Sequence, residues 1–476
     1  MRKEYRAHPL MAIKFIKPFL IILFLPVIRA VIQYISDGKI EDFFKLEFAV
    51  FGIILLIAVL RCFVFRVSCD GKTVYIRTGL IFVTRAEIEI SRLSSIQTVR
   101  TPFDIIFGSM TIGINTEAGT PTKSDFEFKL KFSEGKELSN MLYGGETVSK
   151  QRFSAIKVAI MAAATSSAFT GMIIGVPIIN RAGKLLGVAL SDMLLDEINH
   201  VSSKIDTHFP PIVNTVTLVF LLAYVVSFVY SFLKYLNFRV ILGEKKLEVR
   251  SGLISKVRTE FKRSSVNDVK IEQNVLMLLL RRYSLKVSVG GFGNSKNQSQ
   301  VMVPSGKYSE IKRDFSFYFP FLKPDSSYLV PKRSFLNRSR FLFWPAIFLI
   351  LVLGVSIPCA IIFDEFTRFI FFLTLVSLVF VFYYAYVCLL EFKNGKISFG
   401  KSVFVQGRKG IKTCELYCPK EKVGQIVLTR YITDYYYKTC NIKVVLCSES
   451  ADSITLKHID YKTVRDEVMK SFNLDE

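Results

Sequence analysis

The chain is poor in the residues most enzymes lean on. Among 476 residues there are one tryptophan and four histidines, and the 40 acids are outnumbered by 63 Lys and Arg. His8, His200, His208 and His458 are scattered. No H-E-x-x-H run, Ser/His/Asp set or pair of carboxylates stands out, so no catalysis is expected and no cofactor is called for. Cys414 and Cys418 with His458 are loosely spaced for zinc and lack an evident fourth ligand, so no metal is expected either. The eight cysteines fall in or near apolar runs or in segments expected in the cytoplasm, where thiols stay reduced. The net charge of +23 is spread along the chain instead of being gathered in one arm or helix, which argues against nucleic acid as a partner. The N-terminus has a basic start and an apolar run, but no A-x-A-like cleavage site follows promptly. It reads as a retained membrane segment and not as a removed signal.

What is abundant is apolar surface. The chain is 51% hydrophobic with 43 Phe, and its mean hydropathy is +0.36. With so much positive charge, this points to a membrane protein whose basic parts lie beside an anionic surface. A bilayer core of roughly 30 Å needs about 20 mostly apolar helical residues. Runs at 19–35, 48–65, 158–179, 212–233, 341–363 and 369–390 meet that need as three hairpins. Arg29 and Arg61 lie near span ends, where their stems can reach the interface. The third run carries a small residue at every fourth position, Ala163, Ser167, Gly171 and Gly175, which suits close packing of a neighbouring helix. The short connections hold few Lys or Arg, so the long polar segments and both termini are expected on the cytoplasmic side of the plasma membrane. An amphipathic segment at 184–204 is expected on the outer side.

Each hairpin is followed by a strand-rich segment, and the first two align at a constant offset. Phe65-Arg-Val, then Arg77-Thr-Gly-Leu-Ile81 and Arg85, match Phe238-Arg-Val, then Arg250-Ser-Gly-Leu-Ile254 and Arg258. Each segment closes with a strand and an amphipathic helix, for which Ser133, Ser305 and Asp460 are the expected caps. In the last helix Tyr461, Val464, Val468 and Phe472 form the buried stripe. The organisation is thus 1–65 hairpin, 66–147 module, 154–236 hairpin, 237–320 module, 340–391 hairpin and 392–476 module. The fold class is α+β: six membrane helices in three hairpins, each followed by a small β-sandwich or partly open barrel closed by a helix.

In the third module, 395–402 reads G-K-I-S-F-G-K-S, which fits a phosphate-loop pattern. Such a loop needs a strand before it and a helix after it. Here the middle of the motif reads as a strand and alternation continues beyond it, so a nucleotide site is not expected. Residues 394–402 align instead with 71–79 of the first module, which puts Gly400 and Ser402 in place of Arg77 and Gly79, and Gln425 in place of Gln97.

The hairpin followed by F-R-V…R-x-G-L-I-x-x-x-R and a closing strand and helix resembles the bacterial pleckstrin-homology-like family. The threefold arrangement resembles its YdbT type. The resemblance implies a bent seven-stranded sheet capped by a helix, no catalytic residues and no cofactor. It also implies a smaller YdbS-type membrane protein with one such domain as partner. The expected role is a non-catalytic binding or assembly platform in the cell envelope, with a transporter built on the six helices as the alternative. Lys72, Arg77 and Arg85, and Lys245, Lys246, Arg250 and Arg258, are the candidate contacts to anionic lipid headgroups or a partner.

Overall fold

The structure is a computed structural model. Residues 3–16, 43–80, 82–116, 124–144, 146–186, 190–204, 211–244, 246–289, 300–324, 327–363, 366–410, 412–446 and 453–472 are described. The expected first span with Arg29 and the candidate Lys245 lie outside them. The chain divides into two compact units. One comprises Met1–Gln151, Arg239–Ser265 and Val289–Gln298; the other comprises Arg152–Phe238, Val266–Ser288 and Ser299–Glu476.

In the first unit, β1 (Lys3–Arg6) and α1 (Met11–Ile16) precede the apolar helix α2 (Phe43–Val64). That helix runs into β2 (Arg66–Cys69), β3 (Thr73–Thr78) and β4 (Thr84–Glu89). These four strands form an antiparallel sheet in the order β1-β2-β3-β4. Val67, Val74, Ile76 and Ile88 alternate with polar residues, as a half-buried strand requires. They share one core with Leu93 and Ile96 of β5 (Leu93–Arg100), Ile112 and Ile114 of β6 (Ser109–Thr116), and Phe128 and Leu130 of β7 (Phe126–Lys131). α3 (Pro102–Ile106) links β5 to β6, and α4 (Phe132–Tyr143) closes the module with Leu138 and Leu142.

The strands β5 to β7 belong to a larger sheet, β7-β6-β5-β11-β10-β9-β8. Its other members are β8 (Thr147–Arg152), β9 (Arg239–Gly243), β10 (Lys246–Ser251) and β11 (Lys256–Lys262), so half of the second module is hydrogen-bonded to the first. The bent seven-stranded sheet expected for each module is therefore divided between two sheets, one of them shared.

The second unit holds α5 (Ala155–Thr165), α6 (Ala168–Leu186), α7 (Leu190–Lys204) and α8 (Pro211–Tyr235). The rest of the second module follows: β12 (Val266–Gln273), α9 (Val275–Leu279), β13 (Tyr283–Val289), β14 (Gln300–Gly306) and α10 (Tyr308–Tyr318). Next come α11 (Phe335–Ile362), α12 (Thr367–Asn394), β15 (Lys396–Phe399), β16 (Ser402–Lys409), β17 (Lys412–Pro419), β18 (Val423–Thr429), α13 (Ile432–Tyr437), β19 (Thr439–Leu446), β20 (Ser453–Asp460) and α14 (Tyr461–Phe472). The sheet order is β14-β13-β12-β17-β16-β20-β19-β18, with β15 on β16. The third module is joined to the second as the second is to the first.

Three findings bear on the expected organisation. First, among the described residues three of the expected spans are single helices long and apolar enough to cross a membrane, Thr215–Tyr235 of α8, α11 and α12, with mean hydropathies of 2.3, 2.6 and 2.2, and the run at 48–65 is represented by the shorter apolar stretch Gly52–Val64. The run at 158–179 is not one helix but α5 and the start of α6, bent by 97°, which makes a fourth span if the pair is counted as one. Consequently Ala163 lies on α5, Ser167 in the break, and only Gly171 and Gly175 on α6. Second, α4 and α10 start after Lys131 and Lys307, so Ser133 sits inside its helix and Ser305 inside β14. Asp460 does cap α14, accepting from the Thr463 backbone N–H at 3.1 Å. Third, each module takes a strand or bridge from before its apolar helices: β1 on β2, β8 on β9, and Leu329 bridged to Ile397.

Candidate functional site

Strand register gathers arginines that the sequence keeps apart. Arg6 of β1 faces Arg66 of β2, Arg66 faces Arg77 of β3, and Arg77 faces Arg85 of β4. Directly opposed residues share a face, so four guanidinium groups cross the sheet in one row. Neighbouring strands lie about 4.8 Å apart, which gives the row a length of about 15 Å. Arg6, Arg77 and Arg85 are exposed and Arg66 is half-buried. Among the described residues none of the four has an ion-pair partner; Arg66 donates to the Phe63 carbonyl at 2.9 Å. The same face carries Glu4, Ser68, Tyr75 and Glu87 as the adjacent row.

The row lies at the end of the sheet where α2 enters, since Arg66 follows the last residue of that helix by two. The β3–β4 turn emerges at the same end. Gly79 has φ +108 there, and a Cβ would stand 1.9 Å from the Phe82 carbonyl oxygen, so only glycine fits. Phe82 at the tip is 87% exposed. Lys72 sits in the β2–β3 turn, at the opposite end from Arg77, and so leaves the group.

The second module repeats the row as Arg239, Arg250 and Arg258. Here the charge is answered from within. Glu248 and Glu260 face each other across β10 and β11, 3% and 1% exposed. Arg258 reaches Glu248 at 2.8 Å, Arg250 also pairs with Glu248, and Arg258 with Glu260. Burial alone would raise the Glu248 carboxyl, but Arg250 and Arg258 hold it below the usual carboxylate range. Lys246 lies opposite Lys262, away from the arginines, and comes within 3.9 Å of Glu260.

In the third module the equivalent row is Lys396, Gln406 and Glu415. This corrects the alignment of 394–402: the hairpin turn falls at Gly400 and Lys401, so Gln406 and Glu415 take the places of Arg77 and Arg85. Strand–turn–strand is also what the phosphate-loop pattern turns out to be. Gln425 lies opposite Val445 as Ser95 lies opposite Asn115, so it matches Ser95 and not Gln97. Glu415 is engaged by Lys312 at 2.8 Å and Tyr308 at 2.9 Å, both from α10. The row lines a cavity of about 790 Å³ together with Arg281, Tyr283 and Arg333. Cys414 and Cys418 are buried in β17, whereas His458 in β20 bonds Asp434. Among the described residues no group of three or more metal-binding side chains is close enough to hold an ion.

A second recurrent feature went unread in the sequence. Each module has a short apolar helix at the same place, α3, α9 or α13, followed within two residues by one of positive φ: Gly108, Arg281 or Lys438. Phe103, Ile106, Leu279, Ile432 and Tyr436 are strongly exposed on them. Two are tied to the helices expected in the membrane: Asn274 donates to the Ala164 carbonyl of α5, and Arg340 of α11 pairs with Asp434. The recurrence of P-F-D-I-I-F, V-L-M-L-L and I-T-D-Y-Y-Y after the fifth, twelfth and eighteenth strands was the available signal.

A family model described as Bacterial PH domain matches residues 16–144 and 188–313. No curated protein and no solved structure matches the chain.

Proposed function

The chain belongs to the bacterial PH domain family, and from that premise we propose that it is a non-catalytic platform held in the plasma membrane, with three cytoplasmic modules, the first of which engages anionic lipid headgroups. Within the family we place it with the three-module YdbT type. The observation that carries the reading is the row Arg6, Arg66, Arg77 and Arg85, uncompensated and set where an apolar helix enters the sheet. Like charges directly opposed cost stability, so such a row is favoured where an external anion answers it. Each arginine near an anionic surface gains about 1 kcal/mol. The exposed Phe82 turn and the apolar helices α3, α9 and α13 suit the interfacial layer of the same bilayer.

The test is lipid retention by the purified full chain, measured by native mass spectrometry with phosphatidylglycerol against phosphatidylcholine. The triple variant R6Q/R77Q/R85Q is expected to lose roughly two orders of magnitude in preference for phosphatidylglycerol at low ionic strength. The triple lysine variant keeps most of it. An unchanged preference in the glutamine variant overturns the reading. The sidedness is checked by labelling cysteines placed at Lys72 and Lys256 in intact cells; labelling by an impermeant reagent from outside contradicts it.

A further inference from the structure

The two joints between modules repeat each other residue for residue. β11 lies between β10 and β5, with Arg258 opposite Thr98. β17 lies between β16 and β12, with Glu415 opposite Ile271. Arg258 and Glu415 hold the same place in their modules, as the arginine-row register showed. The closing helix of the preceding module completes each joint through its eighth residue: Ser139 of α4 reaches Glu260 at 3.5 Å, and the ring of Phe315 of α10 lies 4.4 Å from that of Tyr417. One docking geometry has been used twice.

Each half of that joint is left over once. β4 is the first module's counterpart of β11 and β17, and it ends its sheet. Thr84, Arg85, Glu87 and Glu89 of β4 are exposed, whereas Lys256 alone is exposed in β11. β18 is the counterpart of β5 and β12, and it too ends its sheet. No residue of β18 is buried, whereas every residue of β12 is. Among the described residues nothing pairs with the outer edge of either strand. An open edge presents a row of backbone N–H and C=O groups to any strand of matching register. The charges on β4 do not bar pairing, because β11 carries Lys256, Arg258, Glu260 and Lys262 and is paired on both sides.

We propose that β4 is an acceptor edge filled by β18 of a second copy of this chain. The strands run antiparallel, with Arg85 opposite Leu428 and Glu87 opposite Ile426, the register of both internal joints carried over. Val468, the eighth residue of α14, then takes the place of Ser139 and Phe315 and meets Glu87. The contact joins unlike surfaces, so it repeats head to tail, closing into a ring where the rotation between copies closes and otherwise leaving one β4 and one β18 open at the ends. This goes beyond the headgroup reading and does not depend on it.

The test places the photo-crosslinking residue p-benzoylphenylalanine at Glu87 of the full chain, purified in detergent and irradiated. The expected product is a covalent dimer with a ladder of higher species. Peptide mapping should place the link in 423–429 or 461–472 of the other copy. The same residue at Lys72, at the far end of the sheet, should give no dimer. Absence of any dimer from the Glu87 sample overturns the proposal. So does a link from Glu87 to 84–89 of the other copy, which would mean a symmetric pair of β4 edges. A third overturning result is a purified chain that is monomeric by light scattering while cross-links in native membranes reach only a smaller protein with one such module.

Discussion

At the scale of single residues, position 75 separates a bare arginine row from a compensated one. Tyr75 faces Glu87 across β3 and β4 as Glu248 faces Glu260 across β10 and β11. Tyr75→Glu should therefore set a second carboxylate opposite Glu87, as Glu248 stands opposite Glu260. The expected outcome is loss of phosphatidylglycerol preference in native mass spectrometry, with no loss of thermal stability. The reverse change, Glu248→Ala, strips Arg250 and Arg258 of a buried partner and should cost about 3–5 kcal/mol, read by chemical denaturation. His458 offers a pH prediction. Burial, then the Arg340 guanidinium, pushes its imidazole down from 6.5 to about 4, against the pull of Asp434. The folded state thus favours the neutral ring. The stability this gives is fully present above pH 6.5 and is lost as pH falls toward 4, by a total on the order of 3 kcal/mol. Thermal unfolding at pH 7 and pH 5 should show the loss. His458→Asn, which tolerates the positive φ of 56 at that position, should flatten it. The repeat offset made Arg66, Arg77 and Arg85 legible as recurring residues. Arg6 was not legible, because it has no repeat partner in the alignment and joins the row only through the β1–β2 register.

At the scale of elements, the break between α5 and α6 is the largest departure from sequence reading, and hydropathy could not reveal it. Several of the polar groups freed by the bend are answered. Ser166 returns its backbone N–H and hydroxyl to the Ala162 carbonyl, and Tyr224 and Asn274 donate to those of Ala163 and Ala164. Ser167 then caps α6, accepting from the Thr170 N–H at 3.2 Å. The Ser-Ser pair was the local cue, but a helix-length apolar run masks such a cue unless partners on other elements are known. Gly171 packs against α8 so closely that a Cβ would stand 1.6 Å from the Ala223 carbonyl oxygen. Gly171→Leu should push α6 and α8 apart and cost more than the usual 1–3 kcal/mol of an overpacked core, seen as a lowered midpoint in thermal unfolding. The strand-and-helix ending of each module was readable from alternation and amphipathicity. The exact starts of α4 and α10 were not, since lysines without a side-chain cap precede them.

At the scale of the whole molecule, the repeat was visible in sequence but the sharing of sheets was not, because alternation fixes which face a residue takes and not which strand lies beside it. Modules that share strands should lose order together. Ile271→Pro in β12 removes a ladder donor between two neighbours and should speed hydrogen exchange in both β13 and β17. Val427→Pro in β18, at the outer edge, should leave β12 and β17 protected. Equal exchange in the two variants would show that the joint carries no cooperativity.

The strands that precede the apolar helices impose one more condition. β8 is hydrogen-bonded to β9, so Arg152 and Arg239, the residues bounding 153–238, must stand in the same aqueous compartment. A path that leaves and re-enters one side of a bilayer makes an even number of passages. If α8 passes once, the bent α5–α6 pair owes the return passage and cannot merely dip into one leaflet. The same rule applies between Leu329 and Ile397, where α11 and α12 are two helices long and apolar enough to supply an even number of passages.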